Sequence, residues 1–570
     1  MTSVGIDFGT TNSVVAKWTP RGLEVLDVDQ APGEWGGHGF SRVMPSVFAT
    51  GSDGQALFGW AAKRAESGSF EAVKRLFATQ QEAITDDAGS VLDVEEVATM
   101  LFGELKRAAA ANGVPASKAV VTVPANSRGL VRHRTKVTAG MAGLEVMALL
   151  NEPTAAAMAY ALDYPGDQQI LVFDWGGGTL DVTILRSVGG VFMEQASKGL
   201  PTKGGMDFDS RLARAVRETV ADDHTWNDAD HYRFRLNIEL AKIELSEREH
   251  TEIRLPGGET RRVSRTMLEQ AIQPLVEESR RPIEQCLRDI GAGPGVIDAI
   301  VMVGGTSKIP MVRRFVAELL DQEPASTVNP MTAVGEGAAV AAAILSGELE
   351  THDFFVSTEH ALGTITHDPA NTTPNFSVLI PRNHKLPAAT TERFSPVFDD
   401  QEAVKIQVIE GDPDRPVDDP ENVILTAFTA KLPEPSPAEP DRSFDITYRY
   451  DTDGILHVEV ADPSGTLLER HEVSFGVTQD KRAMVEMSKR VQSTLETGRL
   501  LDEPAEGDRP DPEVTSLLQR AYVKVIPFLD GQDEAKVRAA AEALERADPN
   551  EVPVAKQELQ AELAPYPYLF

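Results

Sequence analysis

Cysteine, basic residues and long apolar runs are all scarce in this chain, and each scarcity removes a class of protein. Among 570 residues there is one cysteine, Cys286, so no internal disulfide can form and an oxidising compartment is not called for. Cys286 lies in a helical pattern and reads as a small core residue. Lysine and arginine number 55 against 88 aspartates and glutamates, a formal charge of -33. Such a balance repels phosphates, which argues against nucleic acid or an anionic membrane as a main partner; a strongly solvated surface is the plain reading. No apolar run reaches the ~18 residues of a membrane span. The N-terminus enters a strand without a basic and apolar leader, and together these absences predict a cytoplasmic protein. Single cores stop growing near roughly 250–300 residues, so two large units and an appendage are the simplest count.

What is present centres on Ile170 to Leu185, ILVFDWGGGTLDVTIL. An apolar strand ends at Asp174, Gly176, Gly177, Gly178 and Thr179 make a turn, and Leu180 to Ile184 return as a strand. A glycine turn leading into a strand, not a helix, argues against a Rossmann turn. Glycines let backbone N–H groups close on a ligand and Asp174 adds a carboxylate, which suits a phosphate with a divalent cation. An ordinary glycine-rich hairpin with Asp in its turn is the other reading. The pattern recurs at Val4 to Val15, VGIDFGTTNSVV, where Asp7 falls on Asp174, Phe8 on Trp175 and Gly9 on Gly176. Two such hairpins predict two homologous lobes facing across one cleft, each holding an end of the same polyphosphate.

The ordered strings GIDFGTTNS, AVKRL, VVTVPA, LLNEPTAAAMAYALD, VFDWGGGTLDVTIL, VMVGGTSKIP and VNP…GAAVAAAIL resemble the nucleotide-binding domain of 70-kDa heat-shock chaperones (DnaK-like). The likeness covers nearly all of residues 1–350 and continues more weakly to about Gly476. It implies an α/β, actin-like, two-lobed ATPase domain over residues 1–349 and an inter-domain linker over 350–361. Residues 362–476 come next as a peptide-binding β-sandwich, for which regularly spaced short strands argue independently, and 477–570 as a helical, lid-like segment. The implied activity is that of an ATP-dependent chaperone, gripping exposed apolar polypeptide segments under control of slow hydrolysis of ATP to ADP, with Mg²⁺ and K⁺ as cations.

Residue by residue, the resemblance places Gly9, Thr10, Thr11 and Asn12, with Gly176 to Thr179, around the phosphates. Asp7, Asp174 and Asp181 face the metal. Lys74 stabilises charge on the terminal phosphate, Glu152 faces metal and phosphates, and Thr179 orients the attacking water, completing with Asp174 the catalytic set. Gly204 and Gly205 precede a helix start, which favours anions through its dipole. Glu239, Lys242 and Ser246 become the adenosine edge, although by spacing alone they are a wet helix face. Gly304, Gly305, Ser307 and Lys308 become the second wall of the base pocket.

The chain also departs from that family. Lys308 replaces an Arg that lies on adenine, and Met331 and Thr332 replace an acidic pair; Lys stacks less well than Arg, so weaker adenine affinity is expected. Asn126, Ser127 and Arg128 replace Tyr-Phe-Asn, and Ala148 replaces the Arg that engages J-domain partners, which argues against an ordinary J-domain co-chaperone. The trimmed stretch between Val220 and Tyr232 argues likewise against a standard exchange factor. Phe354, Phe355 and Val356 stand for the family's leucine-rich linker. A trimmed insertion is expected between Phe77 and Ser117, with an amphipathic helix over Val91 to Ala111. Phe394, Val397 and Val404 match the peptide groove or simply fill the sandwich core, and His367 to Asn375 reads as a long loop. LPEPSPAEP (Leu432 to Pro440) reads as stiff and extended. Met484, Met487, Val491 and Leu495 share one helix face, prolines cut the rest of the chain into a shortened lid, and Tyr566, Tyr568, Leu569 and Phe570 end it. Two other functions fit the hairpins: a nucleotide-gated adaptor for one dedicated partner, and a phosphotransferase of the actin and sugar-kinase superfamily.

Overall fold

The computed structural model describes residues 2–565 apart from 66–68, 86–90, 221–225, 350–357, 434–441, 452–455, 474–480, 501–510, 548–550 and single or paired positions elsewhere. The linker aromatics, the proline-rich loop from residue 434 onward and the terminal aromatics therefore lie outside the described residues. Two sheets of one plan carry the first part of the chain. In the first, Thr2–Phe8 runs antiparallel to Asn12–Thr19 and parallel to Ala116–Val123, which is parallel to Glu145–Asn151. In the second, Gln168–Trp175 runs antiparallel to Leu180–Val188 and parallel to Ala299–Val303, with Val191–Leu200 beyond. A hairpin flanked by a parallel strand thus occurs twice, as the paired glycine stretches predict. The parallel strands read as unbroken apolar runs because helices cover both their faces; Ala299–Val303 is buried throughout.

Helix Ala333–Leu345 (AVGEGAAVAAAIL) ties the sheets together, lying against helix Glu152–Asp163 and strand Thr2–Phe8. Its small residues make that approach possible. A Cβ on Gly337 would stand 1.7 Å from the Ala155 carbonyl oxygen, and one on Gly5 2.1 Å from Ala339 N.

Residues 361–473 form two four-stranded antiparallel sheets. The stretch expected as a long loop is instead a hairpin, Ala361–Asp368 with Asn371–Ile380, paired from Leu362↔Ile380 to Asp368↔Asn371. Its threonines and Ile365 favour strand, and that local preference decides. Val404 is in the sandwich core, Phe394 packs on that core beside Phe444 (6.2 Å), and Val397 is exposed.

Val91–Asp93 is a short strand paired with Ala83–Thr85, so the expected helix begins only at Val94 (Val94–Ala111). It is covered on a second side by Lys481–Thr497, which docks on this lobe: Val491 joins the lobe's core and Leu495 fills the space over Gly103. Arg490 fastens it to Glu96 (2.9 Å) and Asp93 (3.6 Å). Pro512–Gln519, Arg520–Val525, Gly531–Arg546 and Val552–Leu563 form a bundle with its own core. That bundle touches both lobes. Gln519 Oε1 accepts from Thr85 N (2.5 Å) and Thr85 Oγ1 (3.0 Å), while Lys203 Nζ donates to the Leu529 carbonyl (3.2 Å). Among the described residues no helix is long and apolar enough to cross a membrane.

Gly337→Ala should destabilise the lobes by about 2 kcal/mol or more, since backbone rather than a side-chain tip blocks the new methyl. A wild-type urea midpoint in the variant would reject this account of the helix contact.

Candidate functional site between the two lobes

Each hairpin turn is closed by the same bond. Gly9 N donates to the Asn12 carbonyl and Gly176 N to the Thr179 carbonyl, both at 3.1 Å. The turns face each other closely: a Cβ on Gly177 would lie 2.4 Å from Thr11 Cγ2; within the second lobe, one on Gly204 would lie 2.5 Å from the Gly177 carbonyl carbon. Thr306 Oγ1 pins the second turn through the Gly176 carbonyl (2.9 Å). Beside them opens a cavity of about 670 Å³, with Thr10, Thr11, Asn12, Gly177 and Gly205 on its wall. The Asn12 side-chain oxygen is buried without a partner among the described residues.

Asp7 and Asp174 stand at equivalent strand ends. Asp7 accepts from Thr122 Oγ1 (3.2 Å); Asp174 lies opposite Asp181, which accepts from Thr179 Oγ1 (3.2 Å). Lys74 Nζ reaches Glu152 Oε1 at 2.7 Å. The short helix Val73–Leu76 that carries Lys74 follows Ala72, whose φ of +53° is left-handed. A non-glycine there costs about 1–3 kcal/mol, a strain typical of functional sites. Burial and then the nearby Glu152 push the Asp7 carboxyl up to about 7, against the pull of Lys74. Burial, Glu152, Asp181 and Asp7 push Asp174 well above its ordinary value. Several half-buried carboxylates with one buried ammonium among them make a place that a divalent cation would neutralise. Among the described residues no three His, Cys, Asp or Glu side chains converge closely enough to form a ready-made metal cage.

At the other end, Glu239, Lys242, Ser246, Gly305 and Lys308 line the cavity. Glu239 pairs with Lys63 (2.8 Å); burial raises its carboxyl, but Lys63 and Lys242 outweigh that and hold it below the usual range. Lys242 Nζ donates to Asp209 (2.8 Å) and to the Gly205 carbonyl (2.9 Å), and Ser246 Oγ to the Lys242 carbonyl (3.2 Å). Gly304 turns with φ +79°, its carbonyl accepting from Ser307 Oγ at 2.7 Å. Lys308 Nζ donates to the His38 carbonyl at 3.0 Å.

The Hsp70 protein family model matches residues 76–566. The chain belongs to the Hsp70 family. It is 35% identical to the Chaperone protein DnaK of Thermotoga neapolitana, over 98% of this chain and 95% of that protein. For the DnaK of Thermosipho africanus the values are 34%, 88% and 86%, and for that of Thermus thermophilus 33%, 96% and 95%.

In this Hsp70 chain several site residues had no mark in the sequence. Arg75, half-buried, donates to the Gly178 carbonyl (3.1 Å); its only hint is its place next to Lys74. Arg235 bridges to Glu71 (2.9 Å) and Tyr232 OH donates to the Lys63 carbonyl (2.6 Å), both across the lobes. On the side of the sandwich, Asn151 Nδ2 donates to Glu194 (3.1 Å), Arg382 lies 3.9 Å from Glu194, and Gly129 N donates to Glu410 (3.3 Å). Ala148 is buried within its strand, and Asn126 and Arg128 lie outside the described residues.

The raised Asp7 gives a pH test. Its ordinary value is 3.8 and its folded value about 7, so the folded state keeps a proton that the unfolded chain releases. That contribution to stability is complete below the ordinary value and lost as pH rises through the folded one. In Mg²⁺-free buffer Asp7→Asn should therefore melt about 2–4 °C or more above wild type near pH 8, with the gap closing toward pH ~4. Parallel melting profiles would reject the assignment.

Proposed function

We propose that the cleft binds ATP and hydrolyses it to ADP and phosphate, and that its nucleotide state sets the grip of the β-sandwich on exposed apolar polypeptide segments. The observation that carries this reading is the meeting of two glycine turns beside a buried Lys74–Glu152 pair. Backbone N–H groups of Gly9 to Asn12 and Gly176 to Thr179 cradle the phosphates, and the helix start at Gly205 adds its dipole. Lys74 stabilises charge on the terminal phosphate, with Arg75 fixing the second turn beside it. Mg²⁺, which Asp7, Asp174 and Asp181 would hold, supplies neutralisation of phosphate charge. Thr179 Oγ1 orients the attacking water. Glu152 is tied to Lys74, so it is a weak base and turnover is slow.

Slow turnover makes ATP a timer. The sandwich meets the lobes at Glu194, which also accepts from Asn151, the residue directly before Glu152, so a change of lobe angle on hydrolysis reaches the sandwich within two residues of the chemistry. Beside half-buried Phe394, Val397 and Phe398 are 43% and 67% exposed, an apolar strip for an extended client. The site lies in a soluble two-lobed domain suited to the cytoplasm, and its partners are polypeptides.

Lys74→Ala should keep ATP affinity within a few-fold and lower turnover on the order of 10²-fold or more. Unchanged turnover would reject the role. Several unrelated unfolded polypeptides should each raise the steady-state ATPase rate; a response to a single protein would favour the dedicated adaptor.

A further inference from the structure

The segment from Ala31 to Ser41, APGEWGGHGFS, has no part in the phosphate chemistry, yet it is built into the cleft. It belongs to the first lobe and forms one helical turn, Gly33–Trp35, followed by the wider turn Gly36–Phe40. Gly39, with φ +90°, lets the chain double back. Its tip is fastened to the second lobe: the His38 carbonyl accepts from Lys308 Nζ (3.0 Å) and His38 Nδ1 lies 3.0 Å from Glu247 Oε2. Behind the tip Trp35, Phe40 and Trp60 form a buried cluster, with Phe40 edge-on to both indoles at 5.9 Å. From the second lobe Ile243 and Met331 pack against that cluster. Phe40, Ile243 and Met331 all line the cavity, at the end that also carries Ser246 and Lys308.

We infer that residues 31–41 are a base lid, in which Phe40 gives the nucleobase an aromatic wall and Ile243 and Met331 complete an apolar slot. The inference rests on the nucleotide reading of the cleft. Lys308 is committed to the His38 carbonyl, so its ammonium is not the surface on which a base rests. Beside the polar groups of that end stand one ring and two apolar side chains, which match the π-face of a base, while Ser246 and Glu239 are left to its polar edge. Because the lid starts on one lobe and is pinned to the other, a base held by it adds contacts to both at once. Base binding and lobe closure become one event.

The test is calorimetry on the full chain with two probes, Mg²⁺–ATP and Mg²⁺–tripolyphosphate, which has the phosphates and no base. Phe40→Ala should weaken ATP on the order of tenfold, and Met331→Ala a few-fold, with tripolyphosphate affinity unchanged in both. Phe40→Leu keeps the apolar volume and removes the ring, so it decides the matter if the alanine variant fails to fold; it should lose ATP selectively as well. Wild-type ATP affinity in Phe40→Leu, or an equal loss for both probes, would overturn the base lid while leaving the nucleotide reading intact. A wild-type chain that binds neither probe would overturn that reading and the lid with it.

Discussion

Around one ammonium, Lys74, the fold gathers the carboxylates of Asp7, Glu152 and Asp174, with Asp181 at the edge of the same charge field. Negative charge in that excess is costly, and loss of solvent followed by the neighbouring carboxylates pushes Asp7 and Asp174 far from their ordinary behaviour. Everything else in the two lobes makes the arrangement tolerable. Strands deliver the two aspartates to equivalent ends, glycine turns bring backbone within van der Waals reach, and Ala72 accepts a strained φ so that Lys74 points inward. A site held at such expense is one that a bound cation would stabilise.

The two lobes are joined by unlike kinds of contact, and the difference sets what can move. At Gly337 and Gly5 backbone meets backbone with no room for a methyl group, so the helix Ala333–Leu345 is a fixed axle. At the rim the joints are polar: Lys63–Glu239, Arg235–Glu71, and His38 with Lys308 and Glu247. Arg235–Glu71 is partly exposed on both sides, and pairs of that sort contribute typically ~0–1 kcal/mol and can be exchanged for water, whereas Lys63 and His38 are buried and hold more firmly. The lobes are therefore stiff at the base and openable at the rim, as a cleft that must admit and release a ligand requires.

Legibility in the sequence obeyed the same division between local and distant. Both hairpins were readable because Asp, glycines and a β-branched return lie within one short window, and the strand Ala299–Val303 with its glycines was readable for the same reason. Lys74 needed the family likeness, since a lysine on a short helix looks like any other. The apolar face of Lys481–Thr497 was visible by period, but periodicity does not name a partner, and only the structure shows Leu495 against Gly103. Val91–Asp93 and the stretch His367 to Asn375 were misread where strand-forming residues border a longer pattern. The rim pairs were invisible altogether, because they join residues more than a hundred positions apart and each partner alone is an ordinary surface charge.

The C-terminal bundle bears on how the lobes couple to the rest of the chain. It holds the first lobe through Gln519 and Thr85 and the second through Leu529 and Lys203, the residue immediately before the Gly204–Gly205 helix start. Its own core makes it move as a unit. A rigid body bonded to both sides of a hinge stays bonded only over a narrow range of hinge angles, because a hydrogen bond fails within about 1 Å of stretch. Gln519 is buried, and opening would strand two donors on Thr85 at a cost of about 1–3 kcal/mol unless water reached them. The bundle thus biases the lobes toward the closed angle, while the sandwich, attached at Glu194 and Glu410, meets a different part of the hinge. Lobe angle is the variable that both appendages share, since each is bonded to residues on the two sides of the cleft.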